Sequence, residues 1–175
     1  MAVYFPDQNI LFVHVPKTGG CFFYDILRTT DINREKVGYQ HSTPDMCGKH
    51  IYFKVPTIAL FTREKESWFK SYYNWRLRGP IGAGGLGAPG YDNEIWHPKW
   101  ILEYALNTES YEDFRKSVDI IAPNYFENMM TMYLQHPLNY TIYRFENIHK
   151  DMKSFFEQLG VSKPLDFYQN HKKVN

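Results

Sequence analysis

The chain has 175 residues, 43% of them hydrophobic and 22% charged, with a net charge of +1. That is enough apolar material for one core, and too little net charge for the broad field that a nucleic acid or an anionic membrane partner would call for. No run has the length of a transmembrane helix, and the opening Met-Ala-Val-Tyr-Phe-Pro-Asp lacks the basic start of a signal peptide, so one domain over 1–175 and a cytoplasmic location are the default expectations.

Residues 10–15 are rich in β-branched and aromatic side chains and read as a buried strand, while Phe22, Phe23, Ile26 and Leu27 recur at helical spacing. Between them lie Pro16, Lys17, Thr18, Gly19, Gly20 and Cys21. Glycines at such a turn let backbone N–H groups converge on an anion at the helix N-terminus, and Lys17 adds a mobile cation. Residues 57–63 form a second apolar strand that delivers Arg63 at its carboxyl end, and the helix after Glu64 carries Ser71 eight residues beyond the arginine. Ligands of open α/β sheets bind outside the carboxyl ends of the strands, so Lys17 and Arg63 are expected to face one crevice. A guanidinium fork and a hydroxyl there suit a phosphate monoester.

Residues 79–90 are too rich in glycine for a stable helix and, with 91–98, are expected to form a lid or acceptor loop. Helical spacing resumes over 99–107, 111–118 and 125–133, the last with Met129, Met130 and Met132 as core filler. A strand-like run at 141–148 leads into a helix over 150–159, whose Met152, Phe155, Phe156 and Leu159 share one face. Gly160 is expected as its C-cap and 164–173 as a polar, basic tail. Helices set between early strands and a late strand imply an α/β domain of three layers, its central sheet mainly parallel and flanked by helices. Cys21 and Cys47 lack the spacing of a metal or redox pair and are expected as free thiols.

Lys-Thr-Gly-Gly directly after a strand, with Pro16 before it, reverses the order of the nucleotide-triphosphate loop, G-x-x-x-x-G-K-[ST]. It resembles the 5′-phosphosulfate loop of sulfotransferases that use 3′-phosphoadenosine 5′-phosphosulfate (PAPS). Their second pattern is R-x-P-x-x-R-x-x-S-x-Y. This chain keeps Arg63, Ser71 and Tyr73, and departs from it with Lys65 for the proline and Trp68 for the second arginine. Two such elements in the right order, about 45 residues apart, are far more specific than either alone. The run Tyr143-Arg-Phe-Glu-Asn147 resembles the segment that follows the last core strand in this family. Tyr72-Tyr-Asn-Trp-Arg-Leu-Arg-Gly79 looks most like the carbohydrate branch, which includes glycosaminoglycan uronyl 2-O-sulfotransferases and small bacterial relatives.

The resemblance implies a P-loop-like fold and transfer of the sulfuryl group of PAPS to an acceptor hydroxyl, on a carbohydrate by branch, with adenosine 3′,5′-bisphosphate as product and no metal. Pro16, Lys17, Thr18, Gly19, Gly20, Cys21 and Phe22 would hold the 5′-phosphosulfate, Arg63 and Ser71 the 3′-phosphate, and Phe145 would lie near the adenine. Lys172 and Lys173 would belong to a basic loop that closes over the 3′-phosphate. Cys21 stands where the family has threonine or serine, so one hydroxyl contact is expected to be missing. Relatives continue into a further helix, so the domain is expected to be minimal or shortened at its C-terminus.

Lys17 would stabilise the leaving phosphate, and His41 would take the proton of the attacking hydroxyl, since imidazole titrates near working pH. His50 is the rival within the same interval and Glu64 the nearest carboxylate. His14 suits the role less because it points from a strand, and His97 only if the long loop folds over the site. The aromatic residues Tyr72, Tyr73, Trp75, Tyr91, Trp96 and Trp100 would suit sugar faces or a core. Two other classes compete. A P-loop kinase or NTPase would need magnesium ligands and an acidic strand end, and a noncatalytic nucleotide- or glycan-binding module would use the same fold without turnover.

Overall fold

The computed structural model describes residues 2–38, 41–48, 56–78, 102, 105–106 and 108–170. Within these, the chain groups into two compact units, Met1–Glu64 with Tyr133–Asn175, and Lys65–Met132.

The first unit is built on a five-stranded sheet of order β3-β1-β2-β4-β5. Its strands are β1 (Ala2–Phe5), β2 (Ile10–Phe12), β3 (Glu35–Val37), β4 (Thr57–Thr62) and β5 (Tyr140–Arg144). β1 pairs antiparallel with both β2 and β3, whereas β2–β4 and β4–β5 are parallel. The sheet is therefore mixed, and the expectation of a mainly parallel one holds only for its C-terminal part. The difference comes from two short strands that carry no strong pattern of their own. β1 is closed onto β2 by a turn in which Asn9 adopts φ +51° and receives a hydrogen bond on its side-chain oxygen from the Tyr4 hydroxyl at 2.9 Å. β3 has only three residues and is held by its ladder to β1.

The first helix, α1 (Gly20–Leu27), leaves β2 through the 13–19 connection, and Val13 still donates to the Ala59 carbonyl at 2.9 Å. After β5, a 3₁₀ turn (Phe145–Asn147) leads into a long helix over Ile148–Gln158, and a short helix at Leu165–Asn170 follows where the sequence reads as a tail. Phe12, Phe61 and Tyr143 from the sheet, Phe22, Phe23 and Ile26 from α1, and Met152, Phe155 and Phe156 from the long helix form one core on this face. Tyr168 of the short helix is fully buried in it, which explains why those residues fold back instead of trailing into solvent. Gly160 caps the long helix in the left-handed region, φ +84°, with the Val161 N–H donating to the Phe156 carbonyl at 2.9 Å.

The second unit contains α2 (Lys65–Arg78), α3 (Tyr111–Ile121) and most of α4 (Tyr125–Leu134), which makes the C-terminal helices of the first unit α5 (Ile148–Gln158) and α6 (Leu165–Asn170). Ser110 caps α3, its hydroxyl accepting from the Asp113 N–H at 3.1 Å. Trp68, Phe69, Tyr72, Phe114 and Tyr125 pack as an aromatic core. Arg115 lies over the Phe69 ring, 4.1 Å from its centroid, and is paired with Glu66 at 3.1 Å. The expected helix over 99–107 falls mostly outside the described residues, and the glycine-rich 79–90 loop falls wholly outside them.

Candidate functional site

Three adjacent parallel strands deliver three residues to one edge of the sheet. β2 runs into the loop that carries Lys17, β4 ends before Arg63, and β5 ends before Phe145. The register pairs Thr62 with Arg144, so Arg63 and Phe145 leave their strands side by side. The Arg63 guanidinium stacks on the Phe145 ring, 4.0 Å from its centroid, and Nη1 donates to the Lys17 carbonyl at 3.1 Å. Arg63 is thus both stacked on an aromatic face and tied to the backbone of the lysine loop.

The loop itself is constrained. Lys17 has φ +61°, a left-handed conformation that a non-glycine residue seldom adopts. The buried Thr18 hydroxyl donates to the Val15 carbonyl at 2.8 Å, pinning the turn from inside. Gly19 has φ +96°, and a Cβ there would run into Ile148 and press on Phe145. Gly20 opens α1, and a Cβ there would clash with Nε2 of His14, at the edge of the imidazole ring. The two glycines therefore answer to packing as well as to any ligand. Cys21 is an exposed free thiol in the first turn of α1. The first turn of α1 contains no acidic residue and no side-chain cap, so nothing built into the helix opposes an anion at its N-terminus.

Burial lowers the Lys17 amine from its usual range to about 8, with Arg63 acting in the same direction and Cys21 opposing it. Burial also lowers Arg63 from its usual value, against the carboxylates of Glu146 and Glu64. The Glu64 N–H donates to Glu146 Oε1 at 2.9 Å, which places that carboxylate beside the arginine strand end. Lys17 and Arg63 together give the loop two cations close enough to affect each other's protonation, an arrangement that an anion between them would relieve.

His41, expected as the base, is buried at 8% exposure in the segment after β3. Its carbonyl accepts from the buried Tyr133 hydroxyl at 2.8 Å, and Ser42 and Thr43 beside it are buried too. Its ring lies 4.8 Å from that of His14, centroid to centroid. His14 suits the role of base less by its place in a strand, yet it lies beside His41. It projects to the same face as Phe12, with its ring also edge-on to Tyr24 at 5.8 Å, and its Nδ1 is buried without a hydrogen-bond partner. Burial holds its pKa well below the usual histidine value, helped by His41, the amino terminus and Lys17. The available signal was the two-residue alternation from Phe12 to His14, which puts the imidazole under α1.

Other expected site residues are distributed differently. Ser71 is half-buried on α2 in the second unit. Lys172, Lys173, His50 and His97 lie outside the described residues, as do Tyr91, Trp96 and Trp100. Tyr72 and Tyr73 are buried in the second unit, and Trp68, which stands where the sulfotransferase pattern has its second arginine, is fully buried there. Cys47 is buried, and burial pushes its thiol up to about 12. Among the described residues, no group of three or more His, Cys, Asp and Glu is placed to hold a metal ion, and no helix is long and apolar enough to cross a membrane.

Comparison with known proteins found no matching family model and no matching curated protein.

Proposed function

We propose that the first unit is a P-loop-like domain and that the protein is a PAPS-dependent sulfotransferase, acting by default in the cytoplasm on a hydroxyl acceptor, with carbohydrate as the favoured class. The observation that carries the reading is the convergence of Lys17, Arg63 and Phe145 at the ends of three adjacent parallel strands, around an uncapped helix N-terminus. Backbone N–H groups from Thr18 to Cys21 would hold the 5′-phosphate. Arg63 would take the 3′-phosphate through its fork, with Ser71, Lys172 and Lys173 assigned to the same group by resemblance alone.

In the transfer, an acceptor oxygen attacks sulfur in line. The new O–S bond forms as the bond from sulfur to the 5′-phosphate oxygen breaks, and adenosine 3′,5′-bisphosphate leaves with the electron pair. His41 takes the hydroxyl proton, and Lys17 stabilises the charge growing on the leaving phosphate. The inward-turned hydroxyl of Thr18 and the arginine, not aspartate, that follows β4 speak for this reading over a magnesium-dependent kinase.

Thermal shift with adenosine 3′,5′-bisphosphate, against ADP and ATP with and without magnesium, tests it. A ligand at 100 times its dissociation constant stabilises by about 2.7 kcal/mol. Selective stabilisation by the bisphosphate without metal is expected, and a preference for ATP with magnesium would overturn the assignment.

A further inference from the structure

We propose that His14 is a positioning residue of the transfer step, the imidazole that sets the ring of His41 and accepts a hydrogen bond from it once His41 holds the acceptor's proton. This rests on the sulfotransferase reading and gives a task to a residue that the loop motif leaves unassigned.

The packing around His14 is closed on three sides. Gly20 at the head of α1 leaves room for the imidazole only because it has no Cβ, Tyr24 one turn later meets the ring edge-on, and His41 meets it at 4.8 Å. A phenylalanine would fill such a space without burying a polar atom. Instead the chain keeps a ring whose Nδ1 is buried and lacks a hydrogen-bond partner, an arrangement that is costly unless a partner arrives. The neighbour able to supply one is His41. Its carbonyl accepts from the Tyr133 hydroxyl at 2.8 Å, which holds its backbone beside the His14 ring.

The proton balance is simple. The acceptor hydroxyl loses its proton to His41 as its oxygen bonds sulfur, and the resulting imidazolium donates to His14 without proton transfer. His14 must stay neutral for this, because two adjacent imidazolium ions would repel each other and Lys17. Among the described residues, the titratable groups facing the pair include Lys17 from the loop, Tyr24 from α1 and Tyr133 from α4, and the amino terminus contributes a further charge.

Long-range proton–nitrogen correlation spectra of the full chain, titrated with pH and assigned with His14→Phe and His41→Asn, test the role. In the wild-type protein His14 is expected to stay neutral while His41 titrates. His14→Phe and His14→Leu should each lower the His41 midpoint, because the acceptor for its ring N–H is lost, and His14→Asn, which returns a polar atom near the Nδ1 position, should restore most of it. An unmoved His41 midpoint in the apolar variants overturns the role. So does a wild-type His14 that takes the first proton, which needs no variant to fold. Thermal shift by adenosine 3′,5′-bisphosphate on the same samples separates the two levels. Stabilisation of wild type with an unmoved His41 overturns only the role of His14. Absence of stabilisation overturns the sulfotransferase reading and the role with it.

Discussion

Gly20 and His14 occupy one volume: the imidazole fills the space in which a side chain at position 20 would begin. Tyr24 and His41 wall the ring on two further sides, which limits how it can yield. Gly20→Ala should therefore destabilise the protein by about 1–3 kcal/mol, the usual cost of overpacking. His14→Ala in the same chain should recover part of that loss. Urea denaturation of the two single variants and the double variant measures the coupling, and strict additivity would mean that the two positions do not compete.

Arg63 is expected to matter through its shape as well as its charge, since it both stacks on Phe145 and reaches the Lys17 carbonyl. Arg63→Ala should weaken binding of adenosine 3′,5′-bisphosphate roughly 10- to 100-fold, the range for loss of a charged hydrogen-bonding group. Arg63→Lys should recover little of it, because an ammonium lacks the planar fork. Calorimetric titration distinguishes these, and wild-type affinity in either variant would remove Arg63 from the donor site.

The Lys17 amine, lowered to about 8 by burial, supplies a pH signature. Its folded-state pKa lies below that of the unfolded chain, so the unfolded state binds more protons between about pH 8 and 10.5. In the free protein this group's penalty is fully present below about pH 8 and is relieved as pH rises through that window. Bisphosphate binding should have the opposite trend, weakening as Lys17 loses its charge above about pH 8. An anion also raises the amine's pKa, so binding near pH 8.5 should take up a proton. Calorimetry in two buffers of different ionisation enthalpy reads that uptake, and Lys17→Met should abolish it.

Trp68→Arg would restore the residue that the sulfotransferase pattern has at this position. Trp68 is fully buried against Phe69, Tyr72 and Tyr125, so the substitution places an unpaired charge in an aromatic core. A loss of more than about 3 kcal/mol is expected, with Trp68→Phe milder, and near-UV circular dichroism during denaturation follows both. A stable Trp68→Arg protein would show that this core can rearrange around a cation.

Much of the local structure was legible because each element carries its own periodicity. The apolar run at 57–63, the helical face of Phe22, Phe23, Ile26 and Leu27, and the face of Met152, Phe155 and Phe156 each identify an element without reference to the rest of the chain. The strand-loop-helix around Lys17 and the delivery of Arg63 at a strand end follow from the same local signals. β1 and β3 escaped notice for a physical reason. Strands of four and three residues take their stability from ladders to distant partners, so no pattern within them is long enough to read. The helix at Leu165–Asn170 was missed similarly, since the burial of Tyr168 against the core, not its propensity, holds it.

By itself the sequence determined an α/β chain in which a glycine-containing turn with a lysine follows one apolar strand and an arginine follows another, because hydrophobic period and turn chemistry act over a few residues. Only the tertiary structure decided that the sheet is mixed, that Trp68 is core, that Phe145 stacks on Arg63, and that His14 lies between Gly20 and His41. Those outcomes depend on which side chains meet across tens of residues and on the space each leaves its neighbour, and close packing settles them only once the elements have come together.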